Sequence, residues 1–417
     1  MSPTVHVIGA GLSGLSSALR LVRAGRRVVV HEGTGVAGGR CRSFFDNTLG
    51  RRIDNGNHLV LSGNRAVRAY LHEIGSDDAL AGPARAEFPF LDLETGERWV
   101  VRPGAGRIPW GLLTKSGRVP GTGLGEYLRG FKLAWAGDGT VAQCLSGPGC
   151  LYERFWEPLA VGVLNTAAEE AAASLLRPVL AETFGRGEAA CRPRIAKIGL
   201  SESFIDPALA CLEKAGAEIR FNDRLRSLNW GADKVEGLVF GDGREESAKE
   251  SQVVLAVPPA AAVRLVPGLD VPDQDRPIVN AHFKLENKTE GVSILGLIKA
   301  QAQWLFVRER VASVTVSAAH ALACEPGEVI AEKIWMEVAK VLDLGDAPLP
   351  PYRIVKEKRA TFAQTPDQVR RRPATRTRGA NLFLAGDWTD TGLPATIEGS
   401  IRSGFKAAEA VLAVKNP

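Results

Sequence analysis

Thr4 to Ile8 is a short, largely β-branched run, and it is followed by a glycine-rich turn, Gly9-Ala10-Gly11-Leu12-Ser13-Gly14. Beyond the turn, apolar residues recur at Leu15, Ala18, Leu19 and Val22 until Gly25. The run predicts a buried strand, and the three-to-four-residue spacing predicts an amphipathic helix that Gly25 stops. Val28-Val29-Val30-His31-Glu32 then predicts a second buried strand. In such a strand–turn–helix–strand unit, Gly9 permits the tight turn and Gly11 lets the backbone approach a pyrophosphate. Gly14 lets helix and sheet pack closely, and the phosphates lie on the helix N-terminus that Leu12 and Ser13 open. Glu32 stands 32 − 9 = 23 residues after Gly9. A carboxylate there accepts hydrogen bonds from both ribose hydroxyls and repels a 2′-phosphate, so an unphosphorylated dinucleotide, FAD or NAD, is expected.

Further along, residues 85–120 lose the βα rhythm and become rich in Pro and Gly, with hairpin-like segments at Phe90-Leu91-Asp92-Leu93 and Arg98-Trp99-Val100-Val101-Arg102. This marks a domain crossing. Helical spacing dominates residues 123–184, notably Leu151 to Val161 and Glu169 to Phe184. A helix over Ser201 to Ala215 leads into Gly216 to Phe221 and a hairpin signal at Arg224 to Leu228, and then into the buried run Gln252 to Val257, which Pro258-Pro259 ends. Val263 to Arg372 reads as strands, with candidates at 303–306 and 313–317, and one helix from Gly327 to Leu342. The chain closes with a buried strand over Asn381 to Ala385, a loop, and a helix that begins near Pro394 and runs to about Val414. The fold class is α/β. A Rossmann-like dinucleotide-binding domain of the glutathione reductase type is expected from residues 1–80, 196–262 and 376–417, and a second, α+β substrate domain from 81–195 and 263–375.

A chain of 417 residues exceeds what one hydrophobic core organises, which fits two domains. The net charge of +5 is spread along the chain rather than gathered in one arm, so nucleic acid is not an expected partner. Its densest cluster, Arg370-Arg371-Arg372, reads as a solvated loop before Pro373. Six cysteines show neither a C-x-x-C pair nor Cys/His ligand spacing, so no metal site is expected and the thiols suit a reducing compartment. No tripartite signal precedes the first strand and no run of about 18 apolar residues occurs, so a cytoplasmic location is expected.

Three further stretches carry candidate chemistry. Gly38-Gly39-Arg40 can bring backbone N–H groups and a guanidinium to a second pyrophosphate face. Asp54-Asn55-Gly56-Asn57-His58 gathers a carboxylate, amides and an imidazole around a glycine, as site loops do, although Asp and Asn are also plain turn formers. Gly386-Asp387 ends the last strand, where the carboxylate can accept from a ribityl hydroxyl, and the helix opened by Pro394-Ala395-Thr396 can aim its positive end at the anion of a reduced flavin. Trp156, Trp304, Phe306 and the segment Pro109-Trp110-Gly111-Leu112-Leu113 can line a greasy cavity or a membrane-facing mouth, although ordinary core packing is the favoured reading of such residues.

With both ends in view, the chain resembles the two-domain FAD oxidoreductases that include amine oxidases, protoporphyrinogen oxidase and phytoene-type desaturases. The carrying residues are Gly9, Gly11, Gly14, Glu32, Gly38-Gly39-Arg40 and Ala385-Gly386-Asp387. By this resemblance, the backbone at Leu225 meets the adenine. A narrower resemblance is to the hydroxysqualene dehydroxylases of bacterial hopanoid pathways, carried by Asp54 to His58, Phe155-Trp156-Glu157-Pro158-Leu159 with Leu164-Asn165, Gln303 to Phe306, Glu357 to Thr361, and Gly386 to Glu398. Asn57 departs from that branch, where glutamine is expected. The resemblance implies reduction of hydroxysqualene to squalene by FADH2: the protonated allylic C–OH ionises, and the cation takes hydride from flavin N5. His58 and Asp54 are the candidate acids and Asn57 a third site residue; His58 can equally do no more than hydrogen-bond its turn. The resemblance also implies a hydrophobic isoprenoid substrate. No second GxGxxG with a following helix occurs, so electrons come from an external donor, and no cysteine stands in the carboxy-terminal flavin loop, so FAD is expected to be non-covalent. The opposite redox direction, desaturation of a carotenoid or other polyprenyl chain, remains open on sequence, as does a non-catalytic prenyl-binding role. The charge and the Trp110 to Leu113 segment suggest peripheral contact with an anionic membrane.

Overall fold

The computed structural model describes residues 3–106, 110–288 and 292–414; Pro109, in the apolar segment noted above, lies outside them. Five short strands form an all-parallel sheet in the spatial order Glu218–Arg220, Val28–His31, Val5–Ile8, Gln252–Leu255, Leu382–Leu384. Val5 lies between Val28 and Gln252. Every residue of the three central strands is buried, as parallel strands with both faces covered must be. Strand order reverses beside Val5–Ile8, and the crevice at the carboxyl ends of Val5–Ile8 and Gln252–Leu255 is the switch point where open α/β sheets bind ligands. Helices Leu12–Arg23 and Ile397–Leu412 pack together over one face, burying Leu15, Leu19, Ile401 and Phe405.

A seven-stranded sheet forms the second layer system, in the order Tyr352–Phe362, Asp275–Lys284, Val311–Val316, Trp304–Arg308, Val292–Ile298, Phe88–Asp92, Arg98–Val101. Its neighbours are antiparallel except Val292–Ile298 with Phe88–Asp92, which pair in parallel. Helix Gly327–Val341 covers it with Ile330, Ile334, Trp335 and Val338. A block of short helices between Leu124 and Cys191 packs against the Phe88, Phe90 and Trp99 end.

Two expectations need correction. The Leu151 to Val161 helix is not uniform: Tyr152–Trp156 forms a wide π turn before helix Glu157–Leu164. Pro158 has no N–H to give the carbonyl four residues back, so the turn widens. The same happens at Ser201–Ile205, ahead of Pro207. The region Val263 to Arg372 holds more than one helix, since Pro259–Leu265 runs into it and His320–Cys324 and Pro366–Arg370 are also helical; each is too short for periodicity to reveal.

Candidate active site

At the switch point the three glycines have different reasons to be glycine. Gly9 sits at φ +108°, and a Cβ there would stand 2.4 Å from the Ala256 carbonyl oxygen. A Cβ on Gly14 would meet the Gly9 carbonyl oxygen at 1.9 Å. Both are required by the protein's own packing. Gly11 is not: its φ of −77° suits any residue, and an added Cβ would meet nothing within 4 Å. Gly11 therefore faces open space at the N-terminus of helix Leu12–Arg23, where backbone N–H groups are free to meet an anion. The second glycine pair borders the same space: the Gly38 N–H donates to the Ala10 carbonyl at 2.8 Å, and a Cβ on Gly39 would come within 3.7 Å of Gly11 Cα. Glu32 is held at its strand end by the Ala10 and Thr34 N–H groups, both at 2.9 Å. The Asp223 N–H donates to the Glu32 carbonyl at 2.8 Å and ties the segment leading to Leu225 alongside it.

Arg40 joins this cleft to the other end of the chain. Its Nη2 donates to both Asp387 oxygens at 2.8 Å, and Nη1 donates to the Ala360 carbonyl. The Asp387 charge raises the guanidinium pKa. Although Arg40 lies deep among protein atoms, 42% of its side chain is accessible, because it lines an internal cleft. The Gly386 N–H donates to Ser403 Oγ at 2.9 Å, and Ser403 Oγ donates to Ser13 Oγ at 3.2 Å. Thus residues 9–14, 38–40 and 386–387 converge. The last helix begins at Ile397 rather than near Pro394: Thr396 is its N-cap, accepting from the Gly399 N–H at 3.1 Å, and Pro394 and Ala395 belong to the loop.

The arginine run is also corrected. Arg370 and Arg371 pair with surface carboxylates, Asp138 and Asp367 for one, Asp270 and Asp273 for the other. Arg372 is only 7% exposed. Its Nη2 donates to the Asp387 carbonyl at 3.1 Å, to Thr391 Oγ1 at 3.1 Å and to the Thr389 carbonyl, so it holds the loop after Gly386 from beneath.

The loop Asp54 to His58 sits between this cleft and the seven-stranded sheet. Asp54 accepts from Ser43 Oγ at 2.7 Å, the Leu200 N–H at 2.9 Å and Arg308 Nη2 at 3.3 Å, which fixes it as an anchor of the loop. Asn57 Nδ2 donates to Thr315 Oγ1 at 3.0 Å, Thr315 donates to Asn280 Oδ1 at 2.7 Å, and Asn280 Nδ2 returns to the Asn55 carbonyl at 3.3 Å. This closed circuit fixes the loop on the sheet. The His58 ring makes no hydrogen bond to another described residue. Burial lowers its pKa to about 4, Arg40 pushing the same way and Asp54 opposing, so the imidazole is neutral at pH 7. His58, Asp54, Asn57, His282, Phe306 and Arg308 share one small pocket of mixed polar and apolar lining. His282 bonds Ser313 Oγ through Nδ1 at 2.8 Å, while its buried Nε2 has no partner.

The three aromatic residues expected in one cavity are separated. Phe306 lines the pocket beside His58. Trp156 is buried against Phe155, and Trp304 meets Phe90 edge-on at 5.5 Å; both belong to the apolar cluster beneath the helical block. Two residues besides Arg372 make connections that the sequence does not disclose. Gln364 accepts from the Ala395 N–H at 2.8 Å and donates to the Leu164 carbonyl at 2.6 Å. Glu398 accepts from the Ala66 and Val67 N–H groups at 2.9 Å, capping helix Arg65–Glu73.

The family model of flavin containing amine oxidoreductases matches residues 12–412. A hydroxysqualene dehydroxylase of Sinorhizobium fredii is 45% identical over 417 residues, covering 100% of both chains. One of Rhodopseudomonas palustris is 47% identical over 418 residues, covering 99% of both. The structure of a putrescine oxidase bound to putrescine aligns with a TM-score of 0.72 over 99% of this chain and 100% of that one; at 16% identity it shows the shared fold alone. On the full-length match and these relatives, the chain belongs to the flavin-containing amine oxidoreductases and, within them, to the hydroxysqualene dehydroxylases.

Proposed function

We propose that the protein reduces the allylic alcohol hydroxysqualene to squalene with release of water, using FAD. The observation that carries this reading is identity of 45% and 47% to dehydroxylases over essentially complete chains. The residues present suit FAD: the space beside Gly11 and the accessible guanidinium of Arg40 provide backbone N–H groups and a cation for a pyrophosphate. In this reading Glu32 takes the adenosine ribose, the Leu225 backbone the adenine, Asp387 the ribityl chain, and Pro394 to Thr396 the flavin ring. In its reduced form, non-covalently bound FAD supplies the hydride that replaces the hydroxyl. Residues 1–80, 196–262 and 376–417 make the cofactor unit, and 81–195 with 263–375 the substrate unit.

The chain itself must place the allylic carbon, exclude water and deliver one proton to the departing oxygen. His58 is the residue assigned to that proton. Its ring borders the pocket and makes no hydrogen bond to another described residue, so a ring nitrogen is available to relay the proton. Asp54 and Asn57 act as positioning residues. Phe306 borders the substrate on the pocket side. Electrons come from an external donor, and the protein works in the cytoplasm in peripheral contact with the membrane that stores its apolar substrate. Among the described residues no helix is long and apolar enough to cross a membrane.

The test is anaerobic. The bound flavin is reduced with dithionite, detergent-dispersed hydroxysqualene is added, and absorbance near ~450 nm is followed while products are analysed. Reoxidation with squalene formed is the expected result. A flavin that stays reduced in folded protein overturns the reading and favours desaturation.

A further inference from the structure

Between residues 124 and 135 the chain forms a continuous helical rod, helix Leu124–Leu128 running into the tighter turns of Arg129–Trp135. Its apolar residues divide into a buried and an exposed set. Leu133 is buried, the Tyr127 hydroxyl accepts from the Val119 N–H at 2.8 Å, and a Cβ on Gly130 would lie 3.4 Å from the Trp156 ring. Glu126 turns inward too, accepting from the Gly123 N–H at 2.7 Å and the Leu151 N–H at 2.9 Å. These contacts fix the orientation of the rod on the helical block. Leu124, Leu128, Phe131 and Trp135 take no part in these contacts and stand exposed along the rod. They are 38%, 57%, 68% and 81% exposed. A row of large apolar side chains at this exposure is not how a protein surface meets water.

The charges around the row select its partner. Beside the row stand Arg129 and the exposed Lys132; Glu126 is spent inside, and Asp138, just beyond Trp135, is paired with Arg370. An apolar ridge ending in tryptophan and flanked by cations matches the interface of an anionic bilayer, where hydrocarbon lies beneath negative headgroups. We propose that the rod Leu124–Trp135 is the surface by which this protein docks on an anionic lipid membrane. Phe131 and Trp135 enter the acyl region, and Lys132 and Arg129 meet the headgroups. The assignment deepens the membrane contact proposed above and moves it from Trp110–Leu113 to a defined face.

The experiment uses the FAD-loaded protein with the double substitution Phe131→Ser, Trp135→Ser, whose exposed positions leave the core intact. Flotation with vesicles of phosphatidylcholine, alone and mixed with phosphatidylglycerol, is measured at low salt. Wild type is expected to float with the mixed vesicles, and the double variant to partition about tenfold less or weaker still. The variant should turn over detergent-dispersed substrate like wild type and vesicle-borne substrate more slowly. Equal partition of the two proteins overturns the docking face. So does a wild-type dimer that the substitutions dissociate without changing flotation, since the row would then join two copies. Absence of detergent turnover in both proteins overturns the catalytic reading and leaves the docking result to be judged by flotation.

Discussion

Replacing Arg372 by methionine tests whether a buried cation organises the flavin loop. The guanidinium lies 5.4 Å from the centroid of the Phe362 ring and donates to three oxygens between Asp387 and Thr391. Burial lowers its pKa to about 10, so at neutral pH it remains protonated. Methionine replaces much of the stem and none of the donors. Its partners are two backbone carbonyls and a hydroxyl, so removing it leaves buried acceptors unsatisfied at a cost of about 1–3 kcal/mol, and water entering the loop recovers part of this. If about 2 kcal/mol of the loss falls on ordering the loop around the cofactor, FAD affinity drops roughly thirtyfold. Titration of FAD into deflavinated protein measures that drop, and thermal unfolding of the apoprotein measures the rest. Arg371→Met is the control, because Arg371 pairs with Asp270 and Asp273 at the surface, and it should leave FAD affinity unchanged. An Arg372→Met protein that binds FAD within about twofold of wild type and melts at the same temperature would refute this account of the loop.

Gly11→Ala and Gly14→Ala should separate binding from folding. The Gly14 methyl would meet backbone at 1.9 Å, so this variant loses stability, by about 1–3 kcal/mol or more; the Gly11 methyl meets only open space, so this variant keeps apoprotein stability in a denaturant titration and loses FAD. Glu398→Gln leaves one carboxylate oxygen's worth of acceptor where the Ala66 and Val67 N–H groups need two, and urea unfolding should show a loss of about 1–3 kcal/mol. Burial lowers the pKa of His6 to about 3 and those of His58 and His282 to about 4. These neutral histidines contribute stability that is complete above the unfolded-state value near ~6.5 and is lost as pH falls toward about 4, because only the unfolded chain takes up the protons. Urea midpoints measured across that window should fall with pH. They should fall less steeply in His282→Asn, whose share approaches roughly 3 kcal/mol.

Legibility followed range along the chain. The glycine turn, the strand at Val28–His31 and the final strand ending at Gly386 were all readable, because neighbouring residues specify them. The order of the seven-stranded sheet was not, since Phe88–Asp92 pairs in parallel with Val292–Ile298 across some two hundred residues of sequence. Arg372 was misread for a related reason. Three consecutive arginines look alike, and only the packing of the following loop decides which one turns inward. The aromatic residues were likewise assigned by type: indole and phenyl rings suit both a cavity and a core, so periodicity could not separate Phe306, in the pocket, from Trp156 and Trp304, in the cluster. The start of the last helix had a readable signal in Thr396, a good N-cap, and Pro394 drew the boundary too early.

The cofactor cleft is built from the two ends of the chain, and this has an energetic consequence. Gly9 to Gly14 and Glu32 come from the first βαβ unit, whereas the groups that close on them come from far downstream. Asp387 holds Arg40, Ser403 reaches Ser13, Gln364 holds Ala395, and Glu398 caps helix Arg65–Glu73. The first unit can form its strand, turn and helix from local sequence, yet it remains an open half-site until residues after about 360 dock. With FAD bound across that seam as proposed, only the docked form is favoured, and its binding free energy adds to the stability of the carboxy-terminal strand and helix. The contacts at Asp387, Ala395 and Glu398 therefore decide both how firmly the chain ends are joined and how tightly the flavin is held.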